Sequence, residues 1–418
     1  MERAPIAIRA GRLVDVEASE VRRDQTILVR GDRIDAIVGE DAVPSDARRI
    51  DLSGATVAPG LIDLHAHLIG SVDEGHGYAV MLQRSGAQEA LTGVANARAT
   101  LRAGFTTVRD VGTFRALVDI ALRDAIESGA CEGPRMACSG AYLTCPGGGG
   151  DITGVAPDVV VPRELRFGVA EGVEEVRGRV RDILHAGADL IKVIATGAVL
   201  TEGTVPGAPE FTREELRAAV EEAAHYGAFV AAHAHGATGI KNAVLAGVRS
   251  IEHGSLMDDE CIELMADRGT YLVADIYNGD WIATEGARRG FSADVMRKNE
   301  ETTEAQREGF RKAVKAGVKI GYGTDSGVYP HGWNAKQLPY MVRYGMTPMQ
   351  AIESATIVAA EAMGWSDRVG SIAPGKFADL VAVDGDAMED LESFADVRFV
   401  MKGGEIVADR REGERTPG

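Results

Sequence analysis

Cysteine is scarce in this chain, and its spacing gives no recognisable metal or redox motif. The 418 residues include four cysteines, Cys131, Cys138, Cys145 and Cys261, and none of them forms a CxxC pair. Such pairs are typical of structural zinc sites and of redox-active dithiols. We therefore expect small buried or loop thiols rather than a disulfide framework or a cysteine metal site.

The chain also lacks long apolar runs and an excess of positive charge. Its opening stretch, MERAPIAIRAGRLVDVEASE, carries charged residues throughout, which does not fit the apolar core of a secretory signal. No uncharged stretch is long enough to predict a membrane-spanning helix. The formal net charge of −18 argues against nucleic acid or an anionic membrane as the main partner. We therefore expect a cytoplasmic protein that acts on a small molecule.

A GxGxxG motif after the first strand is missing too, which disfavours a doubly wound dinucleotide-binding sheet. Between residues 59 and 365, eight strand-like segments alternate with helical patterns. The segments are GLIDLHAH, FTTVRDVG, RMACSGAYLT, DLIKVIATG, FVAAHAHG, VRSIEHGS, TYLVADIY and VKIGYGTD. Two helical patterns begin with capping boxes, Thr212 with Glu215 and Thr347 with Gln350. Eight strands alternating with helices over about 300 residues predict a (β/α)₈ barrel.

The two ends of the chain share a different pattern. Short alternating runs such as IAIRAGRLVD occur in residues 1–58, and similar runs such as GKFADLVAVDG occur in residues 366–418. Alternation bounded by glycine and polar turns is typical of strands and hairpins. We expect one small β-domain built from both ends, flanking the barrel.

Histidine is concentrated at the ends of the predicted barrel strands. Five of the nine histidines lie there, namely His65, His67, His233, His235 and His253, while Asp325 ends the eighth strand. Side chains two residues apart in a strand project from the same face, so the imidazoles of such a pair can bind one ion. Imidazole and carboxylate are ligands that zinc accepts, and the carboxyl ends of barrel strands carry the chemistry. The pattern therefore predicts a metal site at the barrel mouth.

Lys192 lies in the fourth predicted strand, among the apolar residues of DLIKVIATG. An ammonium has no lone pair for a metal, so an ordinary salt-bridged or snorkelling lysine is one interpretation. The other is a buried amine with a lowered pKa that captures carbon dioxide, because the resulting carbamate offers two oxygens that can bridge two ions. The residues by themselves leave both interpretations open.

The ordered set of motifs resembles the amidohydrolase superfamily, in particular its imidazolonepropionase-like and Xaa-Pro dipeptidase-like branch, which includes relatives that cleave ochratoxin. The matching segments are APGLIDLHAH, GFTTVRDVG, DLIKVIATG, AAHAHG, GVRSIEHG, GTDSG, HGWNAKQL and GSIAPGKFADLVAV. They extend over nearly the whole chain. The resemblance implies a (β/α)₈ barrel with a small β-sandwich formed by residues 1–58 and 366–418.

The same resemblance implies two divalent metal ions bridged by N6-carboxylated Lys192. One ion is expected on His65, His67 and Asp325, and the other on His233 and His253. We expect zinc, although such sites also accept manganese, cobalt and iron. Two ions lower the pKa of a bridging water, so that hydroxide is present at neutral pH. Asp325 is then the expected catalytic residue, taking a proton from this hydroxide and passing it to the leaving amine.

The resemblance predicts hydrolysis of an amide in a small substrate that carries a carboxylate, such as an Xaa-Pro or other dipeptide or an N-acyl amino acid of the ochratoxin type. A cyclic amide of the imidazolonepropionate type is an alternative, as is deamination at a single metal. Relatives often read GGHG after the third strand, with a histidine that contacts the substrate carboxylate. This chain has Gly149 there, which predicts a wider pocket and puts strict dipeptidase specificity in doubt.

Four residues are expected to contact the substrate: His235, Tyr142, His331 and Arg109. His235 follows the ligand His233 on the same strand face, and His331 lies on the loop after the eighth strand. His76 is a weaker candidate. The resemblance further leads us to expect a homo-oligomer.

Overall fold

The protein is described by a computed structural model that covers residues 4–70, 78–156 and 158–410. Within these ranges the strands are β1 (Ile6–Asp15), β2 (Glu20–Arg30), β3 (Arg33–Val38), β4 (Arg48–Pro59), β5 (Leu61–Ala66), β6 (Phe105–Asp110), β7 (Arg135–Cys138), β8 (Tyr142–Leu143), β9 (Ile191–Ile194), β10 (Val230–Gly236), β11 (Ser250–Leu256), β12 (Tyr271–Ala274), β13 (Ile320–Tyr322), β14 (Leu380–Asp384), β15 (Phe399–Lys402) and β16 (Glu405–Asp409).

The α-helices in the same ranges lie mostly between the central strands. They are α1 (Tyr78–Gln83), α2 (Gly86–Arg102), α3 (Val118–Glu127), α4 (Val173–His185), α5 (Arg213–His225), α6 (Ala237–Ala246), α7 (Asp259–Arg268), α8 (Asn278–Glu285), α9 (Ala293–Ala316), α10 (Gln337–Arg343), α11 (Pro348–Ser354) and α12 (Ile357–Met363). Both predicted capping boxes, at Thr212 and at Thr347, are present. Among these helices, none combines the length and the apolar composition needed to cross a lipid bilayer.

The central strands form the predicted barrel. Strands β5, β6 and β7 form one parallel sheet, and β8 to β13 form a second in chain order. A parallel bridge between Ala66 and Ser326 joins β5 to the segment after β13, so the first and last strands meet. Parallel strands separated by helices and joined in this way confirm the α/β fold with a (β/α)₈ barrel.

The third predicted strand, RMACSGAYLT, is split into β7 and β8. The interruption lies at Gly140, whose φ of 72° is in the left-handed region and cannot continue an extended strand. As a result, β7 pairs with β6 while β8 pairs with β9. The register of β8 against β9 places Tyr142 beside Lys192.

Strands from the two ends of the chain form one seven-stranded sheet, in the order β16-β15-β14-β4-β1-β2-β3. The two ends meet where β14 runs antiparallel to β4, with Ala382 opposite Val57. Residues such as Ile8, Ile27 and Phe399 are fully buried and give this sheet its own apolar core. The expected β-rich terminal unit is present, while the division of the chain at residues 58 and 366 stays a prediction.

Candidate active site

His65 and His67 lie at the carboxyl end of β5 and face Asp325, which follows β13. The Nε2 atom of His67 is 3.2 Å from Oδ1 of Asp325, and that of His65 is 3.6 Å from the same oxygen. Asp325 has a φ of 57°, a left-handed conformation that is rare outside glycine and that concentrates at functional sites. The structure therefore brings together the three residues predicted for the first ion.

His253, in the middle of β11, joins this group. One ligand atom from each of His65, His253 and Asp325 lies within 4.8 Å of the other two, and all three residues are buried. His253 also has a left-handed backbone, with a φ of 69°. Two imidazoles and a carboxylate at this spacing form a candidate metal site, because these are donor types that zinc and its neighbours bind.

His233 and His235, at the end of β10, extend the cluster. The ring of His253 is centred 4.6 Å from that of His233 and 4.9 Å from that of His235. Burial lowers the pKa of His235 to about 3, and the neighbouring His253 adds to the effect. Burial, together with Lys192, also holds the pKa of His65 well below its usual value. The rings of His65 and His235 are thus neutral at physiological pH, which is the form that binds metals.

Lys192 lies on β9 at the centre of the histidine cluster and is 1% exposed. Its Nζ atom is 3.5 Å from Nε2 of His65, and in the described part of the chain it has no carboxylate within salt-bridge distance. Burial lowers the pKa of Lys192 to about 8. A buried amine that has no carboxylate within salt-bridge distance favours the carbamate interpretation over that of a salt-bridged lysine.

Two buried acids that the sequence analysis missed hold the histidines in place. Nδ1 of His65 donates to Oε2 of Glu252 over 2.8 Å, and Nδ1 of His253 donates to Oδ1 of Asp275 over 2.9 Å. Each contact leaves the Nε2 atom of the ring free to bind an ion. Asp275 directly follows β12, so a search for acids as well as histidines at strand ends would have found it.

Two amides complete this support. Nδ2 of Asn278 donates to Oδ2 of Asp325 over 3.0 Å and also reaches Asp275. Nε2 of Gln306 donates to Oδ1 of Asp275 over 2.8 Å. Gln306 lies in the middle of α9, and no local pattern in the sequence marks it.

Arg109 does not lie where a substrate could reach it, which corrects its expected role. The side chain is fully buried, and its guanidinium donates to Oε1 of Glu252 over 2.7 Å and to the carbonyl of Leu64 over 2.6 Å. The buried guanidinium of Arg109 therefore stabilises the negative charge of the buried Glu252 carboxylate. Arg109 is therefore a support for Glu252 and His65, not a substrate contact.

The other expected substrate contacts divide into two groups. Tyr142 and His235 line the cavity above the histidine cluster, and the Tyr142 hydroxyl lies 3.3 Å from Nδ1 of His67. His331 is half-buried on the loop after β13 and is not among the residues that line the cavity. His76 falls outside the described residues.

Gly149 lines the cavity, but the structure does not show the simple widening that we expected. A Cβ atom at this position would meet Cγ2 of Ile194 at 3.0 Å and Cβ of Ala198 at 3.1 Å. Atoms of Ile194 and Ala198 therefore already fill the space that a side chain at position 149 would enter, so glycine here does not leave extra room in the cavity. Its N–H also donates to the Glu210 carboxylate over 2.8 Å, so this segment is a packed part of the wall.

The cavity has a volume of about 430 Å³, which suits a small molecule. The histidines, Lys192 and Asp325 are among its lining residues, together with apolar side chains that include Phe114, Leu200, Ile282 and Phe291. The cavity thus combines a polar cluster of imidazole, amine and carboxylate groups with an apolar surface.

Comparisons with known proteins agree with this geometry. The chain is 34% identical over 425 residues to ochratoxinase from Aspergillus niger, covering 96% of this chain and 86% of that protein. It is 26% identical to imidazolonepropionase from Streptomyces coelicolor over 374 residues, covering 87% of this chain and 86% of that one. A crystal structure of a Xaa-Pro dipeptidase with methionine in its active site superimposes with a TM-score of 0.90 at 39% identity, covering 96% of this chain and 99% of that one.

The family assignment follows from the extent of these matches. The resemblance inferred from the motifs is confirmed, because ochratoxinase, imidazolonepropionase and a Xaa-Pro dipeptidase are all among the similar proteins. The pattern of the Amidohydrolase family matches residues 56–407, which span the barrel together with β14 and β15, and the chain therefore belongs to the amidohydrolase family.

Proposed function

We propose that this amidohydrolase cleaves an amide bond in a small substrate that carries a carboxylate, using two divalent metal ions. The observation that carries the proposal is the convergence of four histidines, Asp325 and the unpaired Lys192 on one cavity. Similarity to ochratoxinase and to a Xaa-Pro dipeptidase also supports this proposal.

The donor set fits two ions. His65, His67 and Asp325 would hold one ion, His233 and His253 would hold the other, and Lys192 as its N6-carbamate would bridge them. The fit rests on Lys192, since a fully buried ammonium without a carboxylate partner is costly while an anionic carbamate between cations is not. When bound, divalent ions supply Lewis acidity toward the amide carbonyl and lower the pKa of water. We propose zinc as the metal.

Asp325 is the proposed proton carrier. Its Oδ1 atom faces the two histidines of β5, and Asn278 holds its other oxygen from the far side. In this position the carboxylate takes a proton from the attacking water and returns it to the leaving amine nitrogen, which gives a carboxylic acid and an amine as products. Tyr142 and His235 lie beside the cluster and are the proposed contacts to the substrate.

The apolar walls supply the argument for the substrate class. Side chains such as Phe114 and Phe291 offer surface to a large apolar group next to the amide. N-acyl amino acids with aromatic acyl groups and Xaa-Pro dipeptides both meet this description. Ring opening of a cyclic amide is the second candidate, because imidazolonepropionase is also similar to this chain.

The test is hydrolysis of a panel of N-acyl amino acids, Xaa-Pro dipeptides and one cyclic amide by zinc-loaded protein, with the products separated by chromatography. Cleavage into two products supports the proposal, whereas a single product from the cyclic amide alone would replace it with ring opening. About two metal equivalents per chain are expected in active protein. A fully active protein with one equivalent would contradict the two-ion centre and favour deamination.

The proposal extends to the setting of the enzyme. We propose a homo-oligomer in the cytoplasm, acting on a small molecule and without nucleic acid or membrane as a partner. Light scattering on purified protein tests the oligomeric state, and a monomeric mass at micromolar concentration would contradict it.

A further inference from the structure

The loop after β9 forms a large part of the cavity wall. Residues Ala198, Val199, Leu200, Thr201 and Glu202 all line the cavity. The loop is closed on itself by Thr204, whose single hydroxyl proton is shared between the carbonyl oxygens of Thr201 at 2.9 Å and Ala198 at 3.1 Å. Its position therefore decides how much room a substrate has.

Three segments of the cavity wall meet at Thr201. Its hydroxyl donates to the carbonyl of Gly149 over 2.7 Å, which ties the loop to the segment after β8. Its own carbonyl accepts a hydrogen bond of 2.9 Å from Nζ of Lys298, which ties the loop to α9. Thr201 is 4% exposed, so both bonds are shielded from water and hold more firmly than they would at the surface.

Lys298 is an unusual residue to find in this place. It is 2% exposed, and among the described residues its ion pair is with Asp294, one turn earlier on α9, at 2.8 Å. Burial of an ammonium is costly unless it is paired and hydrogen-bonded. The charge on the donor makes the bond to the Thr201 carbonyl stronger than a neutral hydrogen bond. If Lys298 only filled space, an apolar side chain would do so without the free-energy cost of burying a charge, which indicates that the hydrogen bond to Thr201 is the role of this lysine.

Helix α9 is itself fixed to the floor of the site. Gln306, two turns after Lys298, donates to Asp275, which in turn holds His253. The loop, α9 and the histidine cluster therefore form one connected support. The packing of Gly149 against Ile194 and Ala198 closes the same wall from the β8 side.

We propose that Thr201 and Lys298 form a clamp that sets the width of the substrate cavity and so determines which groups next to the scissile amide are accepted. Both are positioning residues, because neither lies in the histidine cluster. The proposal rests on the proposed function in taking the cavity as the site where the amide substrate binds.

The test compares two substrates that share phenylalanine as the amine product and differ in the acyl group, N-acetyl against N-naphthoyl. Thr201→Val removes the hydroxyl at nearly constant size, and Lys298→Met removes the charge. In both variants we expect the ratio of kcat/KM for the two substrates to change by about tenfold, mainly through KM. In Lys298→Met, whose residue is not among those that line the cavity, kcat for the acetyl substrate should stay within about twofold, since the metal ligands are untouched.

The control variants separate a clamp from general damage. Lys312→Met removes an exposed lysine from the same helix and should leave the substrate ratio unchanged. Thr201→Ser retains the hydroxyl and should restore the ratio of the unmodified protein. An unchanged ratio in Thr201→Val and Lys298→Met would overturn the proposal, as would an equal change in Lys312→Met.

A binding measurement separates this proposal from the proposed function. The dissociation constants of the methyl- and naphthylphosphonamidates of phenylalanine, in which a tetrahedral phosphorus replaces the acyl carbon and mimics the tetrahedral stage of amide cleavage, are measured by calorimetry in the same variants. If the unmodified protein hydrolyses neither amide, the proposed function fails, while the ratio of dissociation constants still decides on the clamp. If neither Thr201→Val nor Lys298→Met changes the ratio of the two dissociation constants, the clamp proposal is contradicted.

Discussion

Nδ1 of His65 lies 2.8 Å from Oε2 of Glu252, and this contact determines which ring nitrogen faces the cavity. The other oxygen of Glu252 is held by Arg109 at 2.7 Å. A carboxylate behind a metal-binding imidazole fixes the tautomer and the orientation of the ring. The contacts from Arg109 through Glu252 to His65 thus orient the ring so that Nε2 of His65 faces the cavity, where the proposed ion would bind.

Glu252→Gln should weaken metal binding. The amide keeps the shape of the side chain but removes the negative charge that His65 and Arg109 share. Loss of such a supporting group typically lowers metal affinity by about 10- to 100-fold. Competition against a fluorescent zinc chelator measures this change. Glu260→Gln, at an exposed position on α7, is the matched control, and equal affinities in the two variants would contradict the role of Glu252.

Asp325→Asn should nearly abolish turnover while the fold remains intact. The amide retains the hydrogen-bonding geometry toward Asn278 in part, but it cannot carry the proton between the water and the leaving amine. Removal of a general acid–base group costs about 10² to 10⁴ in rate. Steady-state kinetics at saturating zinc and far-ultraviolet circular dichroism measure the two effects. Near-normal kcat would remove Asp325 from this role.

Lys192 should carry a carbamate in the metal-loaded protein. Burial without a carboxylate partner lowers the pKa of its amine to about 8, so a neutral, nucleophilic amine is accessible near neutral pH. We expect a carbamate resonance in ¹³C NMR spectra of protein loaded with zinc in ¹³C-bicarbonate, and its loss in Lys192→Met.

Lys298→Met is the matched control for that experiment. Lys298 is just as deeply buried, but its amine is paired with Asp294 and the Thr201 carbonyl. The carbamate resonance should therefore persist in this variant. Its persistence in Lys192→Met, or its absence from the unmodified protein, would contradict carboxylation of Lys192.

The barrel and the core of the site could be predicted because they follow local rules. Strand-like segments alternate with helical patterns, and histidines two apart share a strand face, so His65 and His67 could be placed without knowledge of the fold. Capping at Thr212 is similarly local. Two local signals were overlooked, the acid Asp275 directly after β12 and Gly140, whose left-handed backbone splits the third strand.

The rest depended on distances that a single sequence does not contain. Gln306 reaches Asp275 from the middle of α9, which is 31 residues away along the chain. Arg109 ends a strand segment, as the histidines do, but its side chain turns into the buried interior toward Glu252. A sequence pattern gives the face of a strand but not how deeply each side chain is enclosed.

Glu210 should make the stability of the fold depend on pH. Burial raises the pKa of Glu210 from 4.5 to about 7, against the opposing effect of the hydrogen bond from Gly149. The folded state then binds this proton more tightly than the unfolded state. The contribution of Glu210 to the free energy of unfolding is therefore fully present below pH 4.5 and is lost as the pH rises through about 7.

Glu210→Gln isolates this effect, because the amide oxygen still accepts from Gly149 but does not titrate. The free energy of unfolding of the unmodified protein, minus that of Glu210→Gln, should fall between pH 4.5 and about 7 and be constant above. Urea unfolding across this range measures it. Glu221→Gln is the control of opposite sign, since Arg177 lowers the pKa of Glu221 and its contribution is lost as the pH falls. A difference for Glu210 that does not change with pH would show that folding does not raise the pKa of this carboxyl group.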